Sequence, residues 1–112
     1  MLTWDYATAA DIDAYYEDRP RETMRAIVVK LDGAPVGIIG LAKEVDRDRA
    51  FSEFKPELQP HLKSMPVGRA IMAFVKWMNA SRVPIYAISE GTGVLDRLGF
   101  RCVGGDIYEW PH

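Results

Sequence analysis

The stretch HLKSMPVGRAIMAFVKW, His61 to Trp77, carries the residues best suited to holding a small anion. The first turn of a helix presents N–H groups without intrahelical partners and the positive end of the helix dipole, so an oxyanion is stabilised there. Gly68 would let phosphate oxygens come close, Lys63 supplies a cation just upstream, and Pro66 has no N–H to offer. One missing hydrogen bond to a charged group is worth roughly 1.5–3 kcal/mol, on the order of ten- to a hundredfold in affinity. The same residues also suit an ordinary helix capped by Ser64, with Pro66 in its first turn and no ligand. His61 has an imidazole suited to proton transfer, in a Pro-rich loop that would equally leave it in solvent.

The pattern around this stretch says what must position it. Val67, Ala70, Ile71, Phe74, Val75 and Met78 recur at helical spacing and predict the longest helix, with Met72 and Trp77 off its buried face, where another part of the domain or else a partner subunit would cover them. Upstream, Trp4 and Tyr6 flank Asp5 in a first strand, and Thr8 or Asp11 caps a helix through DIDAYYEDR that ends before Pro20. TMRAIVVKL and PVGIIGLAKE, joined at Asp32-Gly33, read as a hairpin in which Gly37 and Gly40 mark either a bend or a close approach by backbone or ligand. After a turn at Asp46 to Asp48, RAFSEF is a further strand with Phe51 and Glu53 on one face and Ser52 and Phe54 on the other. PIYAI follows the long helix closely, and strand-helix-strand in that order predicts a crossover between parallel neighbours. Thr92 caps a brief helix stopped at Gly99, and RCVGGDIYEW supplies two strand pieces around Gly104-Gly105.

The totals exclude several classes. At 112 residues the chain is one compact domain, residues 1–112, and its 48% hydrophobic and 27% charged composition is that of a folded protein. A formal charge of -2 with no long run of one sign argues against a nucleic-acid groove. No apolar run approaches the ~20 residues of a membrane span, and the acidic beginning does not read as a signal peptide. Cys102 can form no internal disulfide and, with His61 and His112, no metal spacing; it reads as a small buried residue in a reducing, cytoplasmic setting.

The order strand, helix, hairpin, strand, Pro-rich loop, long helix, strand, short helix ending in RLGF, and terminal strands resembles the GCN5-related N-acetyltransferase (GNAT) superfamily. That resemblance implies an α+β, GNAT-like fold: a mixed, mostly antiparallel central sheet with helices on both faces. In the family's cofactor loop an arginine or glutamine is followed three positions later by glycine and five positions later by glycine or alanine. Here Lys63 stands at the basic position, Pro66 replaces the first glycine and Gly68 matches the last. The resemblance therefore implies acetyl-CoA binding by Leu62, Lys63, Ser64, Met65, Val67, Gly68 and Arg69. A second family signature, Leu-Gly-Phe, occurs at Leu98, Gly99 and Phe100, and the position four before its glycine, where many members carry a tyrosine acid, is Leu95.

An acetyl-CoA-dependent N-acyltransferase is the activity so implied, with an unidentified amine as acceptor. Glu53, on the strand before the cofactor loop, and Glu90, after the strand facing it, are the candidate bases, each also readable as a solvated charge. Tyr86 or Tyr108 could replace the absent acid. The chain is also similar to the small GNAT-like proteins of tailed phages. This leaves a catalytically silent binding protein, a phage accessory or virion component, as the other expectation, with a homodimer or a virion protein as partner.

Overall fold

The computed structural model describes residues 1–15, 24–88, 95 and 98–111. Its elements in chain order are β1 (Leu2–Tyr6), α1 (Ala9–Tyr15), β2 (Met24–Leu31), β3 (Ala34–Lys43), β4 (Asp48–Phe54), a 3₁₀ helix (Pro56–His61), α2 (Met65–Ala80), β5 (Ile85–Ile88), β6 (Arg101–Gly104) and β7 (Ile107–Glu109). The strands form one sheet in the order β1-β2-β3-β4-β5-β7-β6. Every neighbouring pair is antiparallel except β4 and β5, which are parallel. The expected α+β sheet with a single parallel crossover is therefore the one observed.

The β2–β3 hairpin turns on Asp32 (φ 51°) and Gly33 (φ 86°), both left-handed as a tight two-residue turn requires. Pro35 stands opposite Lys30 where the register slips by one residue, so the missing N–H of the proline falls at a bulge. Cross-strand partners fix the two faces. Ile27, Ile39 and Ser52 form one row, and Val28, Ile38 and Glu53 form the row that points the other way.

α2 covers the first face. Val67, Ala70, Ala73, Phe74 and Met78 are buried beneath it, in one core with Ile27, Val29, Leu41, Ala50, Ile85, Ala87 and Phe100. Phe74 and Met78 are almost wholly enclosed, and cutting either to alanine costs roughly 2–5 kcal/mol through lost burial and the cavity left behind. Met72 is exposed, so the predicted second covering does not reach it. Trp77 is half-covered, stacked on Tyr6 at 5.4 Å with the Arg25 guanidinium 5.0 Å from its ring centre.

α1 lies on the opposite face. Thr8 and Asp11 cap it together: the Asp11 N–H donates to Thr8 Oγ1 at 3.2 Å and the Thr8 N–H to Asp11 Oδ2 at 3.0 Å. Asp11 also pairs with Lys30 of β2 at 2.8 Å, which ties the helix to the sheet. The rest of the helix expected up to Pro20, like Thr92 and Glu90, lies outside the described residues.

Cys102 departs from expectation. β7 takes the place beside β5 and pushes β6 to the sheet edge, where all four of its residues are exposed. Cys102 is therefore a surface thiol, 3.7 Å from the Gly105 carbonyl oxygen, and not a buried filler.

Candidate functional site

β4 and β5 run side by side for only two residue pairs, Asp48 with Ile85 and Arg49 with Tyr86. β4 then continues to Phe54 without β5 beside it, so the sheet parts between them toward their C-terminal ends. α2 ends four residues before β5 begins, at the closed end of this split. Sixteen residues of helix span about 24 Å, which carries the start of α2 back to the open end.

The approach to α2 is pinned by packing. The Lys55 N–H donates to the Val36 carbonyl at 2.7 Å, fastening the end of β4 to β3. Leu58, buried in the 3₁₀ helix, rests on Gly37, where an added Cβ would lie 2.6 Å from Leu58 Cδ2. At Gly40 a Cβ would lie 2.5 Å from the Arg25 carbonyl oxygen and 2.9 Å from the Phe51 ring. Both glycines thus admit the protein's own groups, which decides between the two readings the sequence left open.

At the start of α2 the Ser64 N–H donates to the His61 carbonyl at 2.9 Å and the Gly68 N–H to the Ser64 carbonyl at 3.0 Å. The amides of Met65 and Val67 have no protein acceptor among the described residues. Ser64 does not cap as expected: its side chain makes no capping bond, and its Oγ is buried without a partner among the described residues. Beside Gly68 a Cβ would meet nothing within 4 Å. Lys63 and Arg69 are exposed on either side, while Leu62 and Val67 turn their side chains into the core. A diphosphate fits this arrangement through two free amides, a clear approach at Gly68 and two cations, with Pro66 subtracting one donor and the Ser64 hydroxyl enclosed by the protein.

The candidate proton-transfer groups fall in different places. Glu53 is exposed near the open end on the α1 face, close enough to Tyr15 for its charge to act there. Burial first, and Glu53 second, push the Tyr15 phenol up to about 12, and Lys55 Nζ lies 5.2 Å from its ring centre. Tyr86 is at the closed end, its hydroxyl donating to Glu44 Oε2 at 2.8 Å and to Oε1 at 3.0 Å. Burial, then the Glu44 hydrogen bond, hold its pKa above the usual phenol value. Glu90 lies outside the described residues. His61 is half-buried and Tyr108 packs against the core. Leu95 packs there too, its carbonyl accepting the Phe100 N–H at 3.0 Å, and it has no proton to give.

Neither the Glu44–Tyr86 contact nor the placing of Tyr15 beside Glu53 is foreshadowed by the residue pattern. Both join residues far apart in the chain, and Glu44, which ends PVGIIGLAKE and reads as a strand residue, lies just past β3.

Among the described residues no three His, Cys, Asp or Glu side chains gather as a metal site, and no helix is long and apolar enough to cross a membrane. No family model matches the sequence. Solved structures do match the fold. The ribosomal-protein-S18-alanine N-acetyltransferase from Escherichia coli superposes with a TM-score of 0.66 at 13% identity, over 99% of this chain and 94% of that one. A GNAT family acetyltransferase from Brucella melitensis in complex with acetyl-CoA gives 0.61 at 12% identity, over 95% and 90%. Ard1 from Thermoplasma volcanium gives 0.61 at 12% identity, over 96% and 94%. With seven mixed strands, helices on both faces and these neighbours, the chain has the GNAT acetyltransferase fold.

Proposed function

We propose that this protein is an acetyl-CoA-dependent N-acyltransferase, with the diphosphate of its co-substrate at the start of α2 and the acceptor amine on the Glu53 side of the split. The observation that carries the reading is the uncovered α2 start beside Gly68, at the end where β4 and β5 part. Met65 and Val67 donate backbone N–H groups, Ser64 shapes the turn before the helix, and Lys63 and Arg69 add positive charge. Leu62, buried against the core, holds the loop that presents them.

Acetyl-CoA would supply an activated acyl thioester. Glu53 takes the proton from the acceptor amine, directly or through a water, and frees the lone pair that forms the new C–N bond. Glu90 is the second candidate for that role. Tyr86 and Tyr108 are the candidate donors to the departing sulfur, and the Tyr86 hydroxyl already donates to Glu44. Because an ordinary thiol has a pKa of about 8.5, the thiolate can leave and draw its proton from water, at some loss of rate.

Leu95 and Pro66 favour a second reading, a GNAT-fold protein that binds without catalysing, as a phage or virion component would. Thermal unfolding with acetyl-CoA separates the outcomes. At a hundred times its dissociation constant the ligand adds about 2.7 kcal/mol, which for a domain of this size raises Tm by roughly ten degrees or more. A shift with acetyl transfer to a panel of amines supports the enzyme; a shift without transfer supports the silent binder. No shift at millimolar acetyl-CoA sinks the cofactor site.

A further inference from the structure

At the closed end of the split a set of charged and aromatic groups stands apart from the residues assigned above. Glu44, just beyond β3, accepts the Tyr86 hydroxyl on both carboxylate oxygens, at 2.8 and 3.0 Å. Arg47 Nε lies 3.4 Å from Oε1 and Arg49 Nε 3.6 Å from Oε2, and the Arg47 guanidinium covers the Tyr86 ring at 4.1 Å. The Glu44 N–H closes the turn by donating to the Arg47 carbonyl at 2.9 Å.

Tyr86 is the last β5 residue in register with β4, so its hydroxyl reaches across β4 from the point where the ladder stops. On the other side of the two paired residues the Asp48 N–H donates to the Pro84 carbonyl at 2.9 Å, which makes the β4–β5 ladder a short one. On its other side β5 is held by β7 over three residues. Without the Glu44 contact β5 would therefore stay in the sheet but lose its fixed angle to β4.

We propose that Glu44 and Tyr86 form a clasp, braced by Arg47 and Arg49, that sets where β4 and β5 part and hence the width of the cleft between them. Tyr86 on this account is a positioning residue. The clasp itself rests on geometry alone; its consequence for ligand rests on the acyl-CoA reading above.

Tyr86→Phe removes the hydroxyl and keeps the ring under Arg47, Glu44→Ala removes the acceptor, and Glu44→Gln keeps a neutral acceptor. Hydrogen exchange over residues 82–88 and calorimetric titration with acetyl-CoA read the two halves of the proposal separately. Exchange should quicken and acetyl-CoA affinity fall by roughly three- to thirtyfold in Tyr86→Phe and Glu44→Ala, the range of coupling through a connected network. Glu44→Gln should recover part of both. Unchanged exchange in Tyr86→Phe and Glu44→Ala overturns the clasp. Faster exchange with unchanged acetyl-CoA affinity overturns its control of the cleft. If the unsubstituted protein binds no acetyl-CoA, the cofactor reading fails, and the exchange result alone upholds or overturns the clasp.

Discussion

The two ends of the β4–β5 pair are built on opposite plans. At the closed end Glu44, Arg47, Arg49 and Tyr86 satisfy one another, and every group has a partner within a few ångströms. At the open end the amides of Met65 and Val67 and the Ser64 hydroxyl are left over among the described residues. The two amides lie at the uncrowded helix start where a ligand could take them up, whereas the Ser64 hydroxyl is enclosed and carries the cost of an unpaired buried group. The glycines draw the same contrast: Gly40 is filled by neighbouring backbone and ring, whereas Gly68 faces open space.

That contrast gives two alanine substitutions opposite signs. The larger effect is at Gly40→Ala, where the Arg25 carbonyl oxygen 2.5 Å from the new Cβ must move. Overpacking of this kind costs about 1–3 kcal/mol, and a backbone obstacle puts it at the upper end; the urea midpoint should drop accordingly. At the closed end Tyr86→Phe should cost about 1 kcal/mol in the same measurement. A hydrogen bond to a carboxylate is discounted here because Glu44 is about one-third exposed.

Gly68→Ala should stabilise the protein by about 0.5–1 kcal/mol, since glycine within a helix is unfavourable and no neighbour obstructs a methyl group. A loss of stability there would mean that the open end is as crowded as Gly40.

An effect of the same modest size lies away from both ends. The hydrogen bond from Lys30, then that from the Thr8 backbone, hold the Asp11 carboxyl below its ordinary pKa. Its contribution is therefore complete above the unfolded value of about 4 and is lost as pH falls through the lowered folded value. Asp11→Asn should cost about 0.5–1 kcal/mol at neutral pH. The two proteins should converge in stability on acidification, and a gap that persists at the acid end would show that the charge is irrelevant.

Much of this architecture was legible in the residues because it depends on local period. Val67, Ala70, Phe74 and Met78 mark the buried face of α2 at helical spacing, and Phe51 and Glu53 alternate with Ser52 and Phe54 as a strand demands. Asp32-Gly33 announced its turn through backbone conformation alone. What escaped depends on strand order. Nothing in RCVG says that β7 will intervene and leave Cys102 at an edge. Glu44 and Tyr86 are 42 residues apart in sequence, so only the sheet brings them together. Of the site itself, the helix start could be read from Lys63, Pro66 and Gly68, because a helix end always bares amides. The idle Ser64 hydroxyl could not, since serine at that position normally caps.

Whether the start of α2 is an open anion site is decided by Gly68→Glu. No atom lies within 4 Å of a Cβ at Gly68, and a glutamate is favourable near a helix N-terminus, so the variant should fold with stability at least equal to that of the unsubstituted protein. Calorimetric titration should then show acetyl-CoA binding to the unsubstituted protein and its loss in Gly68→Glu, where bulk and negative charge occupy the diphosphate position. Equal affinity in the two folded proteins would contradict the account.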